Sequence, residues 1–154
     1  MALYIVNSLD GFGAFTATTT EAVEAGDFLY SASTTEITAT ATVVDKILVG
    51  LADASGQEKL VVGLALTDAA SGGVVSVATR GIFRFQTEVT THAPVVGAEA
   101  QVADIANAIE VEGYDPTDGG TPIGQFLTPS DTDDEFAVVR MDMGNGAGAV
   151  AYDT

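Results

Sequence analysis

His92 is the only histidine of the chain and stands in Thr90-Thr91-His92-Ala93-Pro94. A histidine acts as a general base or a metal ligand when a nucleophile, a carboxylate or a second ligand is brought to it. Carboxylates are abundant here, 22 Asp and Glu, but there is no cysteine and no spaced serine motif to complete a triad. With so many acids, close carboxylate pairs arise by chance, so spacing singles out no glycosidase pair, and Trp, a common sugar platform, is absent. Two loops are rich in oxygen ligands, Asp115-Pro116-Thr117-Asp118-Gly119-Gly120 and Asp131-Thr132-Asp133-Asp134-Glu135. Neither has the alternating acids, central glycine and closing glutamate of a calcium loop, and both read as solvated acidic loops. Gly11-Phe12-Gly13 and Gly144-Asn145-Gly146 lack the strand, helix and lysine that make a phosphate-binding loop. The chemistry-bearing residues therefore predict no enzyme, no cofactor and no metal site, with His92 a solvent-exposed loop residue.

Composition narrows the remaining classes. The net charge is −17, with Lys46, Lys59, Arg80, Arg84 and Arg140 as the five cations. That balance argues against nucleic acid as a partner, because binding it requires lysines and arginines to displace counterions. No run of 18 apolar residues is present, so no membrane span is expected, and no basic segment precedes an apolar run as in a secretory leader. The absence of cysteine excludes disulfides and thiolate chemistry. The acids are spread through apolar, glycine-punctuated text instead of forming a tail, as in a folded domain adapted to molar salt, where the Debye length falls to about 3 Å. A halophilic source is expected on that ground.

Nineteen threonines and 17 glycines, with much Val and Ala, favour strands and turns over helices. In residues 61–81 an apolar strand enters the turn text Asp68 to Gly73 and leaves through Val75, Val77 and Thr79, a hairpin pattern. Period-two alternation predicts further strands over 37–43 and at Ile82-Phe83-Arg84-Phe85, with Phe83 and Phe85 sharing a face. The turn Asp53-Ala54-Ser55-Gly56 is expected to join 47–51 to 59–66 as a second hairpin, and 100–109 fits a short helix or a strand equally. Gly26, Gly63, Gly81, Gly97 and Gly124 are the expected structural turn positions. Residues 1–20 read either as an extended N-terminal arm or as a first strand. The boundaries assigned are an arm over 1–20, a β-barrel domain over 21–143 and a flexible tail over 144–154.

The chain also resembles itself. Gly63-Leu64-Ala65-Leu66-Thr67 aligns with Gly124-Gln125-Phe126-Leu127-Thr128, and at the same offset Val75, Val77 and Thr79 fall on Phe136, Val138 and Arg140. Glu24-Ala25-Gly26 matches Val95-Val96-Gly97, each a turn ahead of its hairpin. The fold expected is all-β, a small barrel or sandwich of two related halves that leaves few strand edges exposed.

These same stretches, Gly26-Asp27, residues 63–69, Val75–Val77 with Gly81-Ile82-Phe83, and Ile123-Gly124, resemble the small β-rich head-decoration, or capsid cement, proteins of tailed bacteriophages and archaeal tailed viruses. The resemblance runs over residues 21–142, and Gly97-Ala98 departs from the second Gly-Asp it would have. It implies a non-enzymatic virion protein on the outer capsid surface, with the major capsid protein as partner and a homotrimer as assembly. Leu3, Tyr4, Ile5, Phe12 and Phe15 are then the candidate capsid-binding residues, anchoring an arm by strand addition to the shell. A tail or turret component, or an extracellular glycan- or receptor-binding β-module, are the alternatives.

Overall fold

The computed structural model describes residues 5–7, 13–33, 47–103, 109–117, 120–132 and 135–143. Eleven strands carry these residues, with one 3₁₀ turn at Gln57–Leu60. In chain order they are β1 (Ile5–Asn7), β2 (Ala14–Thr19), β3 (Phe28–Ser31), β4 (Leu48–Leu51), β5 (Val61–Ala65) and β6 (Val74–Ala78). Then follow β7 (Arg80–Thr87), β8 (Glu99–Val102), β9 (Glu110–Gly113), β10 (Pro122–Phe126) and β11 (Phe136–Asp142).

Strands β2 to β6 close into a barrel in the order β2-β4-β3-β5-β6. Strands β7 to β11 repeat it: β7-β11-β10-β8-β9, with β9 returning to β7. The register repeats as well. The one parallel contact of each barrel pairs Thr18 with Leu48 and Thr19 with Val49, then Gln86 with Glu110 and Thr87 with Val111. Tyr30 faces Gly50 as Gln101 faces Glu112. Local capping is duplicated too: Thr67 Oγ1 accepts from the Ser76 N–H at 3.2 Å, and Thr128 Oγ1 from the Val138 N–H at 2.9 Å. The all-β architecture of two related halves is thus what the chain adopts, and each half closes upon itself.

Alternation along the strands fills both interiors from equivalent positions. The first barrel is packed by Ala17, Leu29, Val49, Ala65, Val75 and Val77. The second uses Phe85, Ala100, Val111, Phe126, Ala137 and Val139 at the matching places. Two alanines become phenylalanines (17/85 and 65/126) while a leucine and a valine become alanines (29/100 and 75/137). Volume is exchanged between neighbouring positions, the kind of core change a fixed backbone tolerates.

The outer faces differ, and that difference joins the barrels. Phe28, Leu64 and Ala78 point out of the first barrel, are fully buried, and belong to the core of the second. The Phe28 ring stacks on Phe85 with centroids 5.0 Å apart. Their counterparts on the second barrel are Glu99, Gln125 and Arg140, in solvent or half-buried. There Arg140 Nη2 donates to Gln125 Oε1 at 2.9 Å, and Gln125 Nε2 donates to the Gly97 carbonyl at 2.9 Å. The face that would receive a third barrel is polar, so the stack ends at two, as terminal repeats of an array do.

Several expectations change. Strands β4 and β5 do not form a hairpin, because β3 lies between them and pairs with both. In the second half the loop after β10 (127–135) is one residue longer than its counterpart (66–73). Val75, Val77 and Thr79 therefore match Ala137, Val139 and Met141; an alignment at constant offset puts every β11 side chain on the wrong face. Within 100–109 the end of β8 is strand, and 104–108 lie outside the described residues. The strand expected over 37–43 and the tail 144–154 also lie outside them. Of the stretch read as an arm, Ala14–Thr19 is a barrel strand, paired along its length with β6, and Ile5–Asn7 pairs with β7.

Candidate functional site

The five candidate anchors separate. Leu3, Tyr4 and Phe12 lie outside the described residues. Ile5 is placed by its backbone opposite Phe83 on β7. Phe15, opposite Val77 on β6, is half-buried against the first barrel's core, a packing role that explains its aromatic size.

The turn glycines also divide. Gly26 (φ 102°) and Gly97 (φ 86°) hold equivalent positions in the turns before β3 and β8, and Gly81 (φ 145°) lies in β7. Gly63 and Gly124 stand inside β5 and β10. A Cβ on Gly63 would meet the Ala78 carbonyl oxygen at 2.6 Å, and one on Gly124 would run into the carbonyl of Arg140. Close approach of the next strand, repeated in both barrels, selects glycine there.

One titratable cluster lies beside β8 and β9. Gln101 Nε2 donates to Glu112 Oε1 at 2.8 Å, both side chains being buried. His92 Nε2 is 3.0 Å from Asp115 Oδ2, and the Gly113 N–H donates to the His92 carbonyl at 2.6 Å. His92 is thus a half-buried, partnered residue, contrary to the exposed loop position expected, because its loop lies along β9. Burial, followed by the adjoining Glu88 carboxyl, pushes the Glu112 carboxyl up; donation from Gln101 and the nearby His92 act against this. Asp115 is held down, first by the Thr117 N–H and then by the Thr117 hydroxyl. The cluster ties the loop of His92 to β9. Among the described residues no group of three or more His, Asp or Glu side chains is placed to hold a metal ion.

The outer face of the second barrel is the surface most unlike its counterpart. On β7 and β11, Phe136 pairs with Gln86, Val138 with Arg84, Arg140 with Ile82 and Asp142 with Arg80. The Arg84 guanidinium lies over the Phe136 ring, 4.3 Å from its centroid. The face continues onto β10, where the Leu127 N–H donates to the Val138 carbonyl, and onto the turn before β8, where the Gly97 N–H donates to Phe126. Val95 and Val96 in that turn are 59% and 57% exposed, Leu127 is 42% exposed and Phe136 44%. On the first barrel the positions of Arg84, Val138, Val95 and Val96 carry Thr16, Ser76, Glu24 and Ala25. Three of the chain's five cations lie on β7 and β11. Sequence reasoning missed this face, since Phe136, Val138 and Arg140 read there as a strand and nothing marked which side faced out.

An apolar, arginine-bearing sheet face on a strongly acidic β-protein is suited to holding another protein surface. A family model described as phage cement protein matches residues 36–141, more than half of the chain. No curated protein matches the sequence.

Proposed function

The chain belongs to the phage cement protein family, and from that premise we propose that it binds the outer surface of an icosahedral virus head and stabilises the shell. The family match is the observation that carries this reading. The architecture supports it. The outer face of the first barrel packs into the core of the second through Phe28 and Phe85, a compact unit suited to resisting outward deformation of a shell. The role is structural, with no reaction assigned to the Glu112 and His92 cluster. The net charge of −17 with only five cations supports a halophilic virus, whose medium screens the repulsion between acids.

The test is direct. Heads lacking this protein are mixed with it at high salt, sedimented, and challenged by heat or by removal of divalent cations. Saturable binding with delayed release of DNA is the expected result. Absence of binding, or binding that leaves DNA release unchanged, overturns the reading.

A further inference from the structure

We propose that the outer face of β7, β11 and the end of β10 is the surface that docks on the shell, and that its occupant is a carboxylate-bearing patch of the major capsid protein. This rests on the cement reading above and names the surface that serves it.

Duplication provides an internal control. Both barrels have the same five strands, pairing and register, with β1 added along β7 at Ile82 and Phe83, so away from that edge the fold makes matching demands on their outer faces. On the first barrel the outward positions of β2 and β6 are Ala14, Thr16, Thr18, Val74 and Ser76. On the second they are Ile82, which is buried, the half-buried Arg84, Gln86 and Val138, and the exposed Phe136, with exposed Arg140 beyond. Barrel formation thus requires no arginine or phenylalanine at these places. Exposed aromatic and arginine side chains packed on each other are the composition of energetic centres in protein interfaces. Here the half-buried Arg84 lies over the exposed Phe136 ring, flanked by Val138 and Leu127.

Charge selects the partner. A chain with 22 acids and five cations places three of those cations on two adjacent strands. Glu135 precedes β11, and Asp142 faces Arg80 at its far end, so the acids of this face lie toward its limits. A carboxylate-bearing patch fits the exposed guanidinium of Arg140, while Phe136, Val138 and Leu127 offer it an apolar surround.

The experiment uses shells assembled from the major capsid protein of the same virus and the full-length chain. Arg140→Glu and Phe136→Ser are measured by co-sedimentation against Thr16→Ala and Val74→Ser on the first barrel, with unfolding curves for all four. Arg140 and Phe136 are exposed, so their replacement leaves folding intact. The expected result is affinity lower by about tenfold or more for each second-barrel variant, and unchanged to within about twofold for the first-barrel pair. Shell binding by both second-barrel variants equal to that of the unaltered chain overturns the docking surface and leaves the cement reading standing. Loss of self-association with shell binding intact also overturns it, because the face is then a contact between copies. Failure of the unaltered chain to bind shells removes the cement reading and this inference with it.

Discussion

Replacing Phe28 by alanine tests whether the two barrels form one energetic unit. Its side chain leaves the first barrel, is fully buried, and stacks on Phe85 at 5.0 Å inside the second. Removing a buried phenylalanine costs about 3–5 kcal/mol, from lost transfer free energy and the cavity left behind. About 0.5–1.5 kcal/mol of this belongs to the aromatic pair itself. For a domain of this size each kcal/mol lowers the melting temperature by about 2–4 °C, so the expected fall is roughly 6–20 °C. Scanning calorimetry at fixed salt reads it, and a double-mutant cycle with Phe85→Ala isolates the pair. Phe28→Glu, which installs the residue type of the equivalent position Glu99, is expected to fall further, because a carboxylate is then buried without a partner. Phe15→Ala, at a half-buried position, is expected to lose less. A fall of less than about 3 °C for Phe28→Ala, or strict additivity with Phe85→Ala, would refute the view that this stack couples the barrels.

Other outcomes follow from single contacts. Gly124→Ala and Gly63→Ala force a methyl group against the carbonyls of Arg140 and Ala78, so each is expected to destabilise by about 1–3 kcal/mol in chemical unfolding. Gly56→Ala, with open space around it but φ at +91°, is expected to cost about 1 kcal/mol from backbone strain alone; equal losses at Gly56 and Gly124 would discount the close-approach argument. Burial raises the Glu112 carboxyl above its ordinary 4.5, so folding favours its protonated form. Its stabilising contribution is full below 4.5 and is lost as pH rises through the raised value, and Glu112→Gln should flatten that segment of a melting-temperature-against-pH series; parallel curves for the two proteins would count against it. Dialysis from molar to millimolar salt is expected to lower the melting temperature of the unaltered chain, and a stability independent of salt would dismiss the halophilic reading.

The sequence by itself determined a good deal. Period-two alternation at Phe83 and Phe85, and at Val75 and Val77, defined strands with a buried face, because side chains in a strand point alternately to its two sides. The turn glycines Gly26 and Gly97, together with the paired stretches at Gly63 and Gly124, revealed a duplicated chain, since the same backbone demand recurs at each copy. The absence of cysteine alone excluded thiol chemistry. Tertiary structure alone decided the rest. Alternation says which residues share a face, but it does not say which face is covered. Phe28, Leu64 and Ala78 point outward yet are core because a second barrel lies against them, whereas Phe136 and Arg140, also outward, are exposed. Nor does local pattern set strand order: β4 and β5 are consecutive strands, yet closure puts β3 between them. The extra residue in the loop before β11 shifts the register relative to the first half, so Phe136, Val138 and Arg140 take the outward side and Ala137, Val139 and Met141 the core. Burial is a property of the assembled molecule, and that one-residue shift set Phe136 and Arg140 on the outward side of β11.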